Sequence, residues 1–98
     1  MFDKMKQLMD MKKQADRIKK ELDAVTVDVS EVSGIDVQIT GSQVFRSINI
    51  DEDMLKPENK ARLEQDLLRS VNAAVKKSQA EAAQKMAASM PSIPGMNF

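Results

Sequence analysis

The feature that most constrains this chain is a change of hydrophobic period at Val25. Upstream of it, Leu8, Met11, Ala15, Ile18, Leu22 and Val25 follow one another at spacings of 3, 4, 3, 4 and 3. That pattern is the seam of a helix lying lengthwise against another helix. The stretch has no Gly or Pro and is rich in strong helix formers, so it predicts a helix over about residues 2–24. From Val25 the period falls to two. Val25, Val27 and Val29 alternate with Thr26, Asp28 and Ser30, and Ile35, Val37 and Ile39 alternate with Asp36, Gln38 and Thr40. Val44, Ile48 and Ile50 then share a parity with Arg46. Three half-buried strands follow, over about 25–32, 35–41 and 43–50, joined by turns at Ser33-Gly34 and Gly41-Ser42. Both glycines are expected where a turn needs φ > 0.

Two side chains break the alternation. Arg46 sits on the apolar parity, where it must snorkel at the margin or meet an acid. Phe45 sits on the polar parity, which implies partial cover on the second face. Pro57 suits the first turn of another helix, with Glu58 favourable at its positive end. Helical spacing returns through Leu63, Leu67, Val71 and Ala74, flanked by Leu68 and Val75, and continues through an Ala-rich stretch to about residue 89. The expected architecture is α+β: a three-stranded antiparallel meander carrying two long helices on one face, in the order α-β-β-β-α. Residues 1–90 form one domain and 91–98, with two Pro and a Gly, a flexible tail. The first helix outruns the sheet, so part of its seam is expected to meet another helix.

Charge decides more by place than by sum. The 98 residues carry 15 basic and 15 acidic side chains. Residues 1–24 hold seven basic and five acidic groups, residues 25–53 one and six, and residues 54–98 seven and four. The two ends are basic and the middle acidic. On the first helix Lys6, Lys13, Arg17 and Lys20 share a stripe, with Lys12 and Lys19 on an adjacent one. On the last helix Arg62, Arg69 and Lys76 recur every seven residues, with Lys77 beside them. Rows of cations at helical spacing are what phosphate contact needs. They are also what any solvated helix face looks like, and Asp3, Asp10, Asp16 and Asp23 are interleaved with the first set.

The order of elements and several local stretches are similar to the YbaB/EbfC family of bacterial nucleoid-associated proteins. The stretches are MFDKMKQLMDMKKQADRIKKEL, GIDVQITGSQVFRSINID, VNAAVKK and KMAASMPSIPGM. The resemblance implies a homodimer whose long helices project like tweezers, binding of double-stranded DNA with modest sequence preference, and no enzymatic activity. On that basis Lys6, Lys12, Lys13, Arg17, Lys20, Arg69, Lys76 and Lys77 are the expected DNA contacts. The alternative is a small dimeric adaptor for a protein of replication or recombination, favoured by the neutral charge and the eight Met residues.

Other classes have little support. The chain has no His, Cys or Tyr, which removes most nucleophiles and bases, and no Gly-rich phosphate loop or nucleophile elbow occurs. No catalytic residue, cofactor, small-molecule substrate or metal site is therefore expected. Asp51-Glu52-Asp53 lacks the Gly and distal Glu of a calcium loop and reads as a turn and helix start. Three aromatics are too few for a single-strand stacking platform. No run approaches the ~20 apolar residues of a membrane span, and no apolar run follows the basic start as a secretory signal requires. A cytoplasmic, nucleoid-associated protein is the expectation.

Overall fold

The computed structural model describes residues 2–89. Helix α1 spans Phe2–Ala24, followed by strands β1 (Thr26–Val32), β2 (Ile35–Thr40) and β3 (Phe45–Ile50), then helix α2 (Lys60–Ser89). The sheet is antiparallel in the order β1-β2-β3. The fold is thus the α+β arrangement that the change of period requires. The expected tail over 91–98 lies outside the described residues.

Alternation places Val27 and Val29 of β1 and Ile35, Val37 and Ile39 of β2 on one face, and all five are buried with Ala74 of α2. Burial of such aliphatic side chains contributes about 1.5–3 kcal/mol each. Leu63, Leu67 and Val75 complete the contact from α2. That helix packs on β1 and β2, whereas β3 lies beyond it with nearly all its residues exposed.

Helix α2 starts later than Pro57 implies. Pro57–Asn59 forms a separate 3-10 turn, with Pro in its first positions, and α2 begins at Lys60. The acidic triplet is a turn as expected, with Asp51 preceding the 3-10 turn Glu52–Met54, but its side chain makes no cap hydrogen bond.

Three features of the sheet correct the period-two reading. First, the β2–β3 ladder pairs Gln38 with Ser47 and Ile39 with Phe45, so Arg46 is an extra residue in a bulge. The bulge puts Phe45 opposite buried Ile39, on the apolar face rather than the polar one. Second, the Arg46 guanidinium meets the backbone of an acidic residue: its Nη2 donates to the Asp23 carbonyl at 3.2 Å. A cation there complements the negative C-terminal end of α1. Third, the residue with φ > 0 in the β2–β3 turn is Gln43, at 66°, not Gly41. Gly41 is favoured by proximity instead, since a Cβ there would lie 3.0 Å from the Leu22 carbonyl oxygen. Gly34, with φ of 94°, does serve its turn by conformation.

That close approach seats the end of α1 on the sheet. Only the last turns of α1 reach β2 and α2, with Ile18, Leu22 and Asp23 half-buried. The rest projects. Leu8 and Met11, the seam residues expected to meet another helix, are 66% and 65% exposed. At 1.5 Å per residue α1 is about 34 Å long, and the radius of gyration is 19.0 Å against about 13 Å for a compact chain of this length.

Candidate nucleic-acid interface

A polar cluster fixes the base of the α1 arm. Thr40, almost fully buried at the end of β2, is its centre. The Thr40 hydroxyl accepts the Val44 N–H at 3.1 Å and lies 3.0 Å from the Ser42 hydroxyl. Ser42 donates in turn to the Asp23 carboxylate in the last turn of α1. The Thr40 carbonyl accepts the hydroxyl of buried Ser78, from the middle of α2, at 2.7 Å. One turn therefore joins both helices to the sheet, and every buried side-chain polar atom among the described residues has a partner.

Beyond this base the two faces of α1 differ. The apolar seam through Leu8, Met11, Ala15 and Ile18 occupies one side. Lys6, Lys13, Arg17 and Lys20 fall on the opposite side at 100° per residue, and Lys12 lies between the two. All five cations are exposed. A surface covering the seam would leave the main basic row turned outward, so the two do not compete for one face.

The cations of α2 are placed differently. Arg69 lies 3.9 Å from Glu31 of β1, and Arg62 lies 3.8 Å from Asp66. Lys77 donates to the Asp28 carbonyl at 3.1 Å, covering part of the outer edge of β1. That strand also carries a bulge between Val29 and Val32. Bulges and charged cover are ways in which an edge strand resists pairing with another chain. Lys76 is exposed beside Lys77. The α2 row is thus shared with acids and edge carbonyls of its own sheet. The eight expected contacts fall into two groups: Lys6, Lys12, Lys13, Arg17 and Lys20 on the free arm, and Arg69, Lys76 and Lys77 against the edge of β1.

Two surfaces escaped the sequence reading. One is the apolar surface left open on β3 and α2, where Phe45, Ile48 and Leu68 are 39%, 48% and 64% exposed. The three-residue step from Phe45 to Ile48 was its signal, because two apolar residues three apart on one strand face require a bulge. The other is a cleft of about 580 Å³ where the β1–β2 turn meets the start of α2, with Arg62 and Arg69 facing Glu31, Asp53 and Asp66 over Val32, Met54 and Leu63. Helical spacing groups Arg62, Asp66 and Arg69, and the fold brings Glu31 and Asp53 to them.

Fold and charge define a small α+β scaffold that holds a cationic helix clear of its core. A family model described as the YbaB/EbfC DNA-binding family matches residues 1–93, and the chain belongs to that family of nucleoid-associated proteins. A nucleoid-associated protein of Syntrophobacter fumaroxidans is 32% identical over 99% of this chain and 91% of its own length. A nucleoid-associated protein of Clostridium botulinum is 34% identical over 65% of this chain and 57% of its own. The crystal structure of an uncharacterized protein from Helicobacter pylori shares the fold, with a TM-score of 0.73 and 19% identity over 86% of this chain and 90% of that one. Among the described residues no helix is long and apolar enough to cross a membrane.

Proposed function

We propose that the chain acts as a homodimer that grips double-stranded DNA through its phosphates and so helps organise the nucleoid. The observation that carries the reading is the division of α1 into an apolar side and a cationic side on an arm free of its own core. In this reading Lys6, Lys12, Lys13, Arg17 and Lys20 make the principal contacts. Arg69, Lys76 and Lys77 add a weaker set. No base readout is required, because cations in a row recognise the backbone and not the sequence.

What the single chain leaves uncovered supports the dimer reading. Its accessible surface is 8023 Å², against about 5,600 Å² for a compact monomer of its mass. The open surface of Phe45, Ile48 and Leu68, with Leu8 and Met11 on the arm, supplies apolar area for a second copy. A two-fold axis would then present the basic row twice.

The test is fluorescence anisotropy of a labelled duplex of about 30 bp at several salt concentrations. Binding is expected to weaken linearly on a log–log plot, with a slope of about 0.9 per phosphate contact. Reversing charge at Lys13, Arg17 and Lys20 should flatten that slope. Absence of binding at low salt would overturn the DNA reading. The mixed-charge cleft at the start of α2 favours the second reading, an adaptor for a replication or recombination protein, and pull-down with Arg62 and Arg69 variants would then become the informative experiment.

A further inference from the structure

Met9 sits inside the basic face of α1 and not on the apolar seam. On a helix surface its neighbours are the residues three and four away: Met5, Lys6, Lys12 and Lys13. Met5 and Met9 are 65% and 59% exposed. At 100° per residue Met9 stands about 100° or more from the seam residues Leu8 and Met11, so cover on the seam leaves it in solvent, while Met5, three residues from Leu8, borders the seam. Met9, with Lys6, Lys12 and Lys13 around it and Met5 on its remaining side, is a poor surface for another protein, because lysine is depleted at protein interfaces. It matches a polyanion with an apolar inner surface. A duplex has that form: phosphates at the rims of its grooves and, in the major groove, the 5-methyl of thymine. An α-helix about 10–12 Å across fits the major groove and not the minor one.

We propose that Met5 and Met9 form an apolar ridge that enters the major groove while the surrounding lysines hold the rims. The ridge touches thymine methyls and supplies a part of DNA affinity that salt does not screen. The proposal rests on the DNA reading above and gives it a preference for thymine-bearing sites with no hydrogen-bond readout. Methionine suits the task because its unbranched, polarisable side chain adapts to an irregular surface.

The experiment compares the full chain with its Met5→Gln/Met9→Gln double variant. Each is titrated against an A·T-rich 30-bp duplex and against the same duplex with every thymine replaced by uracil. Gln preserves helix propensity, and circular dichroism confirms that the variant folds. The double variant is expected to bind the thymine duplex roughly five- to tenfold more weakly, with an unchanged salt slope. The uracil duplex should weaken the parent by a similar factor and leave the variant unaffected. Met5→Leu/Met9→Leu, which keeps the apolar ridge, should restore parental binding. If parent and variant lines coincide, or if the parent binds both duplexes equally, the ridge does not touch the groove and the proposal fails while the phosphate reading stands. If the parent binds neither duplex at low salt, the DNA reading itself has failed.

Discussion

The Ser78 hydroxyl donates to the Thr40 carbonyl at 2.7 Å, and both residues are buried. This bond ties the middle of α2 to the turn that seats α1. The carbonyl also accepts the Gln43 N–H at 3.0 Å, so removal of Ser78 would not orphan it. Ser78→Ala is therefore expected to cost about 1 kcal/mol, the net worth of a typical intramolecular hydrogen bond and not the larger cost of an orphaned group. Urea denaturation should show a lower midpoint with an unchanged m value.

Gly41 is a site of contact and not of conformation. A methyl group there would press on the Leu22 carbonyl at 3.0 Å and on the Leu22 side chain at 3.3 Å. Gly41→Ala should cost about 1–3 kcal/mol through overpacking. It should also shift the backbone resonances of the last turn of α1, an effect that Ser78→Ala lacks.

Gln43 pays a conformational penalty at φ of 66°, and its side chain is exposed. A left-handed residue costs a non-glycine side chain roughly 1–2 kcal/mol, offset in part by the extra chain entropy of glycine. Gln43→Gly is expected to raise stability by about 0.5 kcal/mol, seen as a small rise in Tm.

The proposed dimer makes a prediction with an internal control. Ile48 and Ser47 are neighbours on β3, but Ile48 pairs with buried Val37 on the apolar face and Ser47 with Gln38 on the polar face. Ile48→Asp should shift the sedimentation mass from two chains to one, while Ser47→Asp should leave it unchanged. Equal masses for both variants would remove the open apolar surface as the site of contact.

Cations on the two helices should differ in effect. Lys13 stands on the projecting arm, whereas Arg69 already lies near Glu31 and must leave it to meet a phosphate. Lys13→Gln is expected to reduce DNA affinity several-fold more than Arg69→Gln at the same salt concentration. The reverse ranking would move the interface from the arm to the edge of β1.

Much of this fold was legible because its periods are clean. The spacings from Leu8 to Val25 and the alternation from Val25 to Thr40 each admit one local structure. Legibility failed where one residue was added. Counting parity through Val44-Phe45-Arg46 put Phe45 on the wrong face, since the bulge at Arg46 resets the alternation. Gly41 was misread because glycine serves both a left-handed turn and a close approach, and only the packed position of Leu22 separates them. The cations of the candidate site were easy to find. Their division into a row on the projecting arm and a row held against the sheet was not, because Glu31 and Asp28 are remote from Arg69 and Lys77 in sequence and meet them only through packing of α2 on β1.

The attachment of α1 through its last turns makes the arm a cantilever. A tilt of about 10° at the Thr40 turn would sweep the tip of a 34 Å arm through about 6 Å, nearly two phosphate steps at about 3.4 Å per strand. Small changes beside Gly41 are thereby multiplied into changes of span at the far end. If the arm grips a duplex as proposed, the stiffness of that one turn sets which widths and curvatures it tolerates, as the pivot of a caliper sets what it can measure.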